Sequence, residues 1–189
     1  PKQTAARSNT VRANVPLDAL YKCWHIYPRT DMRYYTADLI TEILSGGGSS
    51  RLFQALVKEK QLFSNIDCYH LGSTDAGLLT ISGKLIKGVK MEDAEAAVNE
   101  ELIKLQQDGI SQRELDKVIN KTESMIAFED MSVTNRAASL AMYELMGDAD
   151  LINKELDRYR AVTADEIKKE CKIIFDEKNT NTLYYYSNN

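Results

Sequence analysis

Two histidines and three cysteines are the side chains of this 189-residue chain best suited to hold a metal or act as a nucleophile. A catalytic zinc takes three protein ligands and usually a glutamate base beside them. H-E-x-x-H is absent, and neither His25 nor His70 has a carboxylate or a second histidine at metal spacing. Both sit in strand-like stretches and read as packing or interface residues. Cys23 and Cys68 each precede a histidine by two positions, on the same strand face. A cysteine nucleophile needs such a partner, but both strands look buried, and buried thiols are inert. Cys23, Cys68 and Cys171 therefore read as small buried hydrophobes, too far apart for a structural zinc. No G-x-S-x-G elbow is present. The sequence assigns no catalytic residue and no metal ligand.

The most informative stretch is Gly46-Gly47-Gly48-Ser49-Ser50-Arg51. Glycines in a row carry a large conformational entropy cost on folding, so such a run marks a tight turn or a close backbone approach. It is not a phosphate loop, because it lacks the Gly-Lys-Ser/Thr ending and follows a helix rather than a strand. Two readings stay open: a helix-to-helix turn, or a turn shaped for a peptide or partner backbone.

The elements around the run follow from periodicity. Leu20 to Tyr27 reads as a central strand ending at Pro28. Thr30 is placed to cap a helix carrying Met32, Tyr35, Leu39, Ile40, Ile43 and Leu44, which Gly46 stops. Ser49 or Ser50 is placed to cap a short helix with Leu52, Phe53 and Leu56 inside. Ile66 to Leu71 and Leu79 to Leu85 alternate about a Gly72–Gly77 turn and predict an antiparallel hairpin. Met91, Ala94, Val98, Leu102 and Leu105 form a helical stripe stopped by Gly109, with Glu92, Asp93, Glu95, Glu100 and Glu101 on its solvated side. Ser111 and Glu114 form a capping box for a helix carrying Leu115, Ile119, Thr122 and Ile126. Further helices are predicted over 134–146 and 150–160. Thr163 and Glu166 cap another, with Ile167, Cys171, Ile174 and Phe175 inside. Leu183 to Tyr186 closes the chain as a strand. Strands are not separated one by one by helices, so a doubly wound parallel sheet is excluded. The expected class is α+β, a mostly antiparallel sheet with helices packed on one face. Residues 1–10 are expected to be a flexible segment, and 11–189 one domain.

A net charge of -4 leaves no basic footprint for nucleic acid. No apolar run reaches the roughly 20 residues of a membrane span, which predicts a soluble chain. The compartment, bacterial cytoplasm or periplasm, stays open. The chain begins with proline, so it reads as a piece of a longer or processed protein.

Three segments, in order, carry a family resemblance. Leu44 to Leu62 (L-S-G-G-G-S-S-R-L-F-Q-A-L-V-K-E-K-Q-L) resembles the glycine-rich segment in the second half of pitrilysin/insulinase-type zinc metallopeptidases, the family of the mitochondrial processing peptidase. Asp108 to Val118 and Ala161 to Lys169 resemble that family's G-(V/I)-(S/T)-x-x-E-L and V-T-A-E-D helix starts. The likeness runs from about Val11 to Ser187. In this family two similar halves enclose a chamber. The first binds zinc through H-x-x-E-H and a distal glutamate, and the second has lost the ligands.

The resemblance implies a non-catalytic half or subunit of a zinc metalloendopeptidase, inactive by itself. It would close the chamber against a catalytic zinc-binding half and help position a peptide substrate. Zinc is expected in that partner and no cofactor in this chain. Gly46, Gly47, Gly48, Ser49, Ser50 and Arg51 are the expected chamber-facing residues, with Arg51 equally suited to a structural pairing. The family's substrate-contacting arginine and tyrosine correspond to Val57 and Ser64, and a common glycine to Gln61. Lys58, Lys60 and Tyr69 are the available stand-ins. These departures keep a non-enzymatic scaffold subunit open as the alternative. A third reading, an unrelated ligand-binding domain, would be favoured by a structure with no apolar face for a second half.

Overall fold

The computed structural model describes residues 3–72 and 74–188. The elements run β1 (Arg7–Ala13), β2 (Ala19–His25), α1 (Arg33–Ser45), a π-helical segment (Phe53–Glu59), β3 (Phe63–Leu71), β4 (Leu78–Leu85), α2 (Met91–Asp108), α3 (Gln112–Glu129), α4 (Val133–Leu145), α5 (Leu151–Arg160), α6 (Ala164–Ile174), a 3-10 turn (Glu177–Asn179) and β5 (Thr180–Ser187).

The strands form one sheet in the order β1-β5-β2-β4-β3. β2 pairs antiparallel with β4 and β5, β3 pairs antiparallel with β4, and β1 alone runs parallel, to β5. This is the expected mostly antiparallel α+β sheet with helices on one face. Period-2 alternation decides the faces. Leu20, Trp24, Ile66, Leu79 and Ile81 turn toward the helices and are buried, while Tyr69 and Leu71 face away and are exposed. The helical stripes complete the same core through Leu39, Ile40, Ile43, Val98, Leu105, Leu115, Ile167 and Ile174. Each such side chain contributes about 1.5–3 kcal/mol relative to exposure.

Several local expectations are corrected. Arg7 to Thr10, expected in the flexible terminal segment, lie in β1 and pair with β5 from Asn181 to Tyr184. The strand has no alternating signal because all but two of its residues are exposed. Thr30 does not cap α1. Met32 holds that place, and the Asp31 carboxylate accepts the Arg33 backbone N–H at 2.9 Å. The Ser50 hydroxyl donates to the Gly47 carbonyl at 2.7 Å instead of capping the next helix. That helix winds as a π-helix, with the Lys60 N–H donating to the Ala55 carbonyl, and Phe53 is half-buried. Cys23 is half-buried, not buried, and His25 is exposed. Glu101, expected on a solvated face, is buried and paired with Lys104. The Thr163–Glu166 capping box is complete. The turn from Gly72 to Gly77 includes Ser73, which lies outside the described residues.

Candidate functional site: the glycine turn

The turn begins where α1 ends. The Gly46 N–H donates to the Glu42 carbonyl at 2.7 Å. A Cβ at Gly46 would lie 2.4 Å from that carbonyl oxygen, so no larger residue fits there unmoved. Gly47 then takes φ +114°, a conformation that L side chains rarely adopt. The Ser50 N–H returns to the Gly47 carbonyl at 3.0 Å and closes the loop. Gly47, Gly48 and Ser49 are exposed, Ser50 is buried, and Gln54 donates from its amide to the Gly48 carbonyl. The result is a short strip of bare backbone on the surface. A Cβ at Gly48 would meet no atom within 4 Å.

α3 holds this strip in place. The Arg51 guanidinium makes two parallel bonds to Glu114, Nε to Oε1 at 2.9 Å and Nη2 to Oε2 at 2.8 Å, and donates to the Gly109 carbonyl at 2.9 Å. Half-buried beside that carboxylate, Arg51 is held above its ordinary pKa, first by the Glu114 hydrogen bonds. Lys117 donates to the Ser49 hydroxyl at 3.1 Å. Lys121 donates to the Gly46 carbonyl at 2.8 Å and to Glu42 at 2.5 Å. Glu114, Lys117 and Lys121 are spaced three and four apart, so they share one helix face. In the sequence Glu114 reads as a capping-box residue. Ser111 does accept the Glu114 N–H at 3.2 Å, but the carboxylate is drawn away to Arg51. The face spacing was the signal that could have revealed α3 as the support.

The other candidate residues do not converge. The His25 ring lies 3.2 Å from the Asn179 side-chain oxygen. His70 Nε2 lies 2.6 Å from Asp38 Oδ1, and the Tyr159 hydroxyl donates to Asp38 Oδ2 at 2.6 Å. Burial and the Asp38 carboxylate hold Tyr159 above the ordinary phenol range. Burial raises Cys68 and pushes Cys171 up to about 12, so neither forms a thiolate readily. Among the described residues no three His, Cys, Asp or Glu side chains gather where they could hold a metal.

The positions that depart from the resembling family have distinct surroundings. Val57 packs half-buried against the core. Ser64 donates to the Lys84 carbonyl at 3.2 Å. Gln61 stands at φ +50°, where a glycine would be unstrained. Lys60 pairs with Glu100 at 2.5 Å, Lys58 lies over the Phe53 ring at 5.6 Å, and Tyr69 is exposed on the far sheet face.

The Peptidase M16 inactive domain family matches residues 1–122, and the chain belongs to that family. It is 25% identical over 146 residues to the uncharacterized zinc protease YmxG of Bacillus subtilis (strain 168), covering 77% of this chain and 36% of that protein. It is 24% identical over 143 residues to the uncharacterized zinc protease SCO5738 of Streptomyces coelicolor, covering 74% of this chain and 30% of that one. The chain thus spans about a third of the length of these curated relatives. In fold it is similar to a protease from Helicobacter pylori, with TM-score 0.92, 20% identity, and coverage of 98% of this chain and 45% of that one. It is also similar to an inactive peptidase domain from Bordetella parapertussis, with TM-score 0.82, 22% identity, and coverage of 93% and 94%. No helix of the described residues is long and apolar enough to cross a membrane.

Proposed function

We propose that this chain is the non-catalytic half of a zinc metalloendopeptidase. It closes the proteolytic chamber against a catalytic, zinc-binding half and presents the Gly47 to Ser49 backbone to the peptide substrate, with Gly46, Ser50 and Arg51 holding the turn from behind. The observation that carries this reading is the bare, fixed backbone of Gly47 to Ser49, exposed on one side and anchored to α3 on the other. Such a strip supports catalysis by positioning substrate and excluding water, without a reacting group. Arg51 acts from beneath, as the clamp. A partner is also supported by apolar side chains left in solvent. Phe128, Met131, Val133 and Leu145 are 73 to 84% exposed, and exposed large apolar side chains suit a partner surface.

Gly48 gives the clean test, because its backbone needs no positive φ and its surroundings are open. Gly48→Val in the assembled enzyme is expected to leave the melting temperature unchanged and lower kcat/KM for peptide about tenfold or more, as loss of about 1.4 kcal/mol does. Unchanged peptide turnover would overturn the chamber-facing assignment.

A second reading, a non-enzymatic scaffold subunit of the same fold, is favoured by Val57 and Ser64. Neither projects a group able to grip substrate. It predicts a stable complex whose peptidase activity ignores every substitution in the turn.

A further inference from the structure

An open cavity of about 480 Å3 lies between α2 and the covered face of the sheet, beside β1, β5 and β2. Small-molecule sites span about 300–1,000 Å3. Its inner wall carries Lys22, a lysine only 4% exposed. Burying an ammonium costs several kcal/mol unless its charge is met. Lys22 Nζ donates to Glu95 Oε1 at 2.5 Å and to Thr182 Oγ1 at 3.4 Å, and the Tyr184 hydroxyl donates to Glu95 Oε2 at 2.7 Å. An ammonium has three donors, and these two bonds use two of them. Trp24, Phe175 and Ile103 supply an apolar wall, and the exposed Arg7 and Glu177 stand at the rim.

The cavity therefore presents two cations, Lys22 and Arg7, and two anions, Glu95 and Glu177, beside an aromatic surface. A simple anion would meet both carboxylates unfavourably. A guest bearing both charges finds a partner for each, and an apolar body fits the wall. We propose that this cavity binds a zwitterionic amino acid or dipeptide with apolar side chains, its carboxylate toward Lys22 and Arg7 and its ammonium toward Glu177. No residue of the glycine turn takes part, and the proposal stands whether or not the assembled protein cleaves peptides.

Trp24 is the only tryptophan of the chain and lines the cavity, so its fluorescence reports occupancy directly. The full chain is titrated with dileucine, with leucine, and with N-acetyl-dileucine amide, which lacks both charges. Dileucine or leucine is expected to change Trp24 emission saturably, and the tighter of the two identifies the guest's length. The capped peptide is expected to bind about tenfold more weakly, as is the free peptide to Arg7→Ala, each having lost a charged hydrogen bond. Asn99→Phe, on the half-exposed face of α2 that lines the cavity, is expected to abolish binding with an unchanged melting temperature. The proposal is overturned by no saturable change with either free ligand, by equal binding of the capped peptide, or by undiminished binding to Asn99→Phe.

Discussion

Arg51 joins the glycine turn to α3 through a planar two-bond pair, a geometry that a lysine cannot reproduce. Arg51→Ala leaves Glu114 half-buried without its partner and is expected to lower stability by about 1–3 kcal/mol. Arg51→Lys is expected to recover less than half of that, both read from the urea midpoint. Gln61 tests backbone strain instead. A non-glycine residue at φ +50° carries a cost of order 1 kcal/mol. Gln61→Gly relieves that strain while adding unfolded-state entropy, so stability is expected to stay within about 1 kcal/mol. Gln61→Val, branched at Cβ, is expected to destabilise by more than 1 kcal/mol. Alkali tests the buried acids. Burial pushes Tyr34 and Tyr184 from 10.0 to about 12, and Cys171 from 9.0 to about 12. All three stay neutral longer when folded, so the stability they contribute is full below pH 9 and lost as pH climbs from 9 toward 12. The melting temperature is expected to fall across that window, with tyrosinate absorbance rising together with unfolding.

Among the elements, α3 does more than complete the core. Its inner face buries Leu115, Val118 and Thr122, and Glu114, Lys117 and Lys121 hold the turn. Replacing Lys117 and Lys121 together by alanine is expected to speed amide exchange at Gly47 to Ser50 a few-fold, since exposed pairs of this kind are worth about 0.2–1 kcal/mol each. Unaltered exchange would show that the turn holds itself. Most elements were legible in the sequence because a buried face imposes its period. The stripe Met91, Ala94, Val98, Leu102 and Leu105 is buried as its spacing requires. β1 was not legible, because a strand paired on one side and wet on both faces needs no alternation. The π-helical winding of Phe53 to Glu59 leaves no composition signal either. The glycine turn was visible at once, yet its link to α3 was not, because an ion pair between residues 63 apart has no local period, and only the shared face of Glu114, Lys117 and Lys121 hinted at it. The buried Lys22 was hidden for the same reason: its partner Glu95 is 73 residues away.

At the scale of the whole molecule, the chain matches the Peptidase M16 inactive domain and spans about a third of its curated relatives. It brings no set of metal ligands together among its described residues. The proposed function places the hydrolytic centre on a partner half, and Phe128, Met131, Val133 and Leu145 are the exposed apolar side chains beside α4 and at its ends. Reconstitution tests this most directly. The purified chain, a partner half carrying H-x-x-E-H from the same organism, and their mixture are compared for bound zinc and for peptide hydrolysis. The account predicts no stoichiometric zinc and no turnover for this chain alone, and hydrolysis by the mixture well above that of the partner by itself. One zinc per chain together with turnover by this chain alone would contradict it.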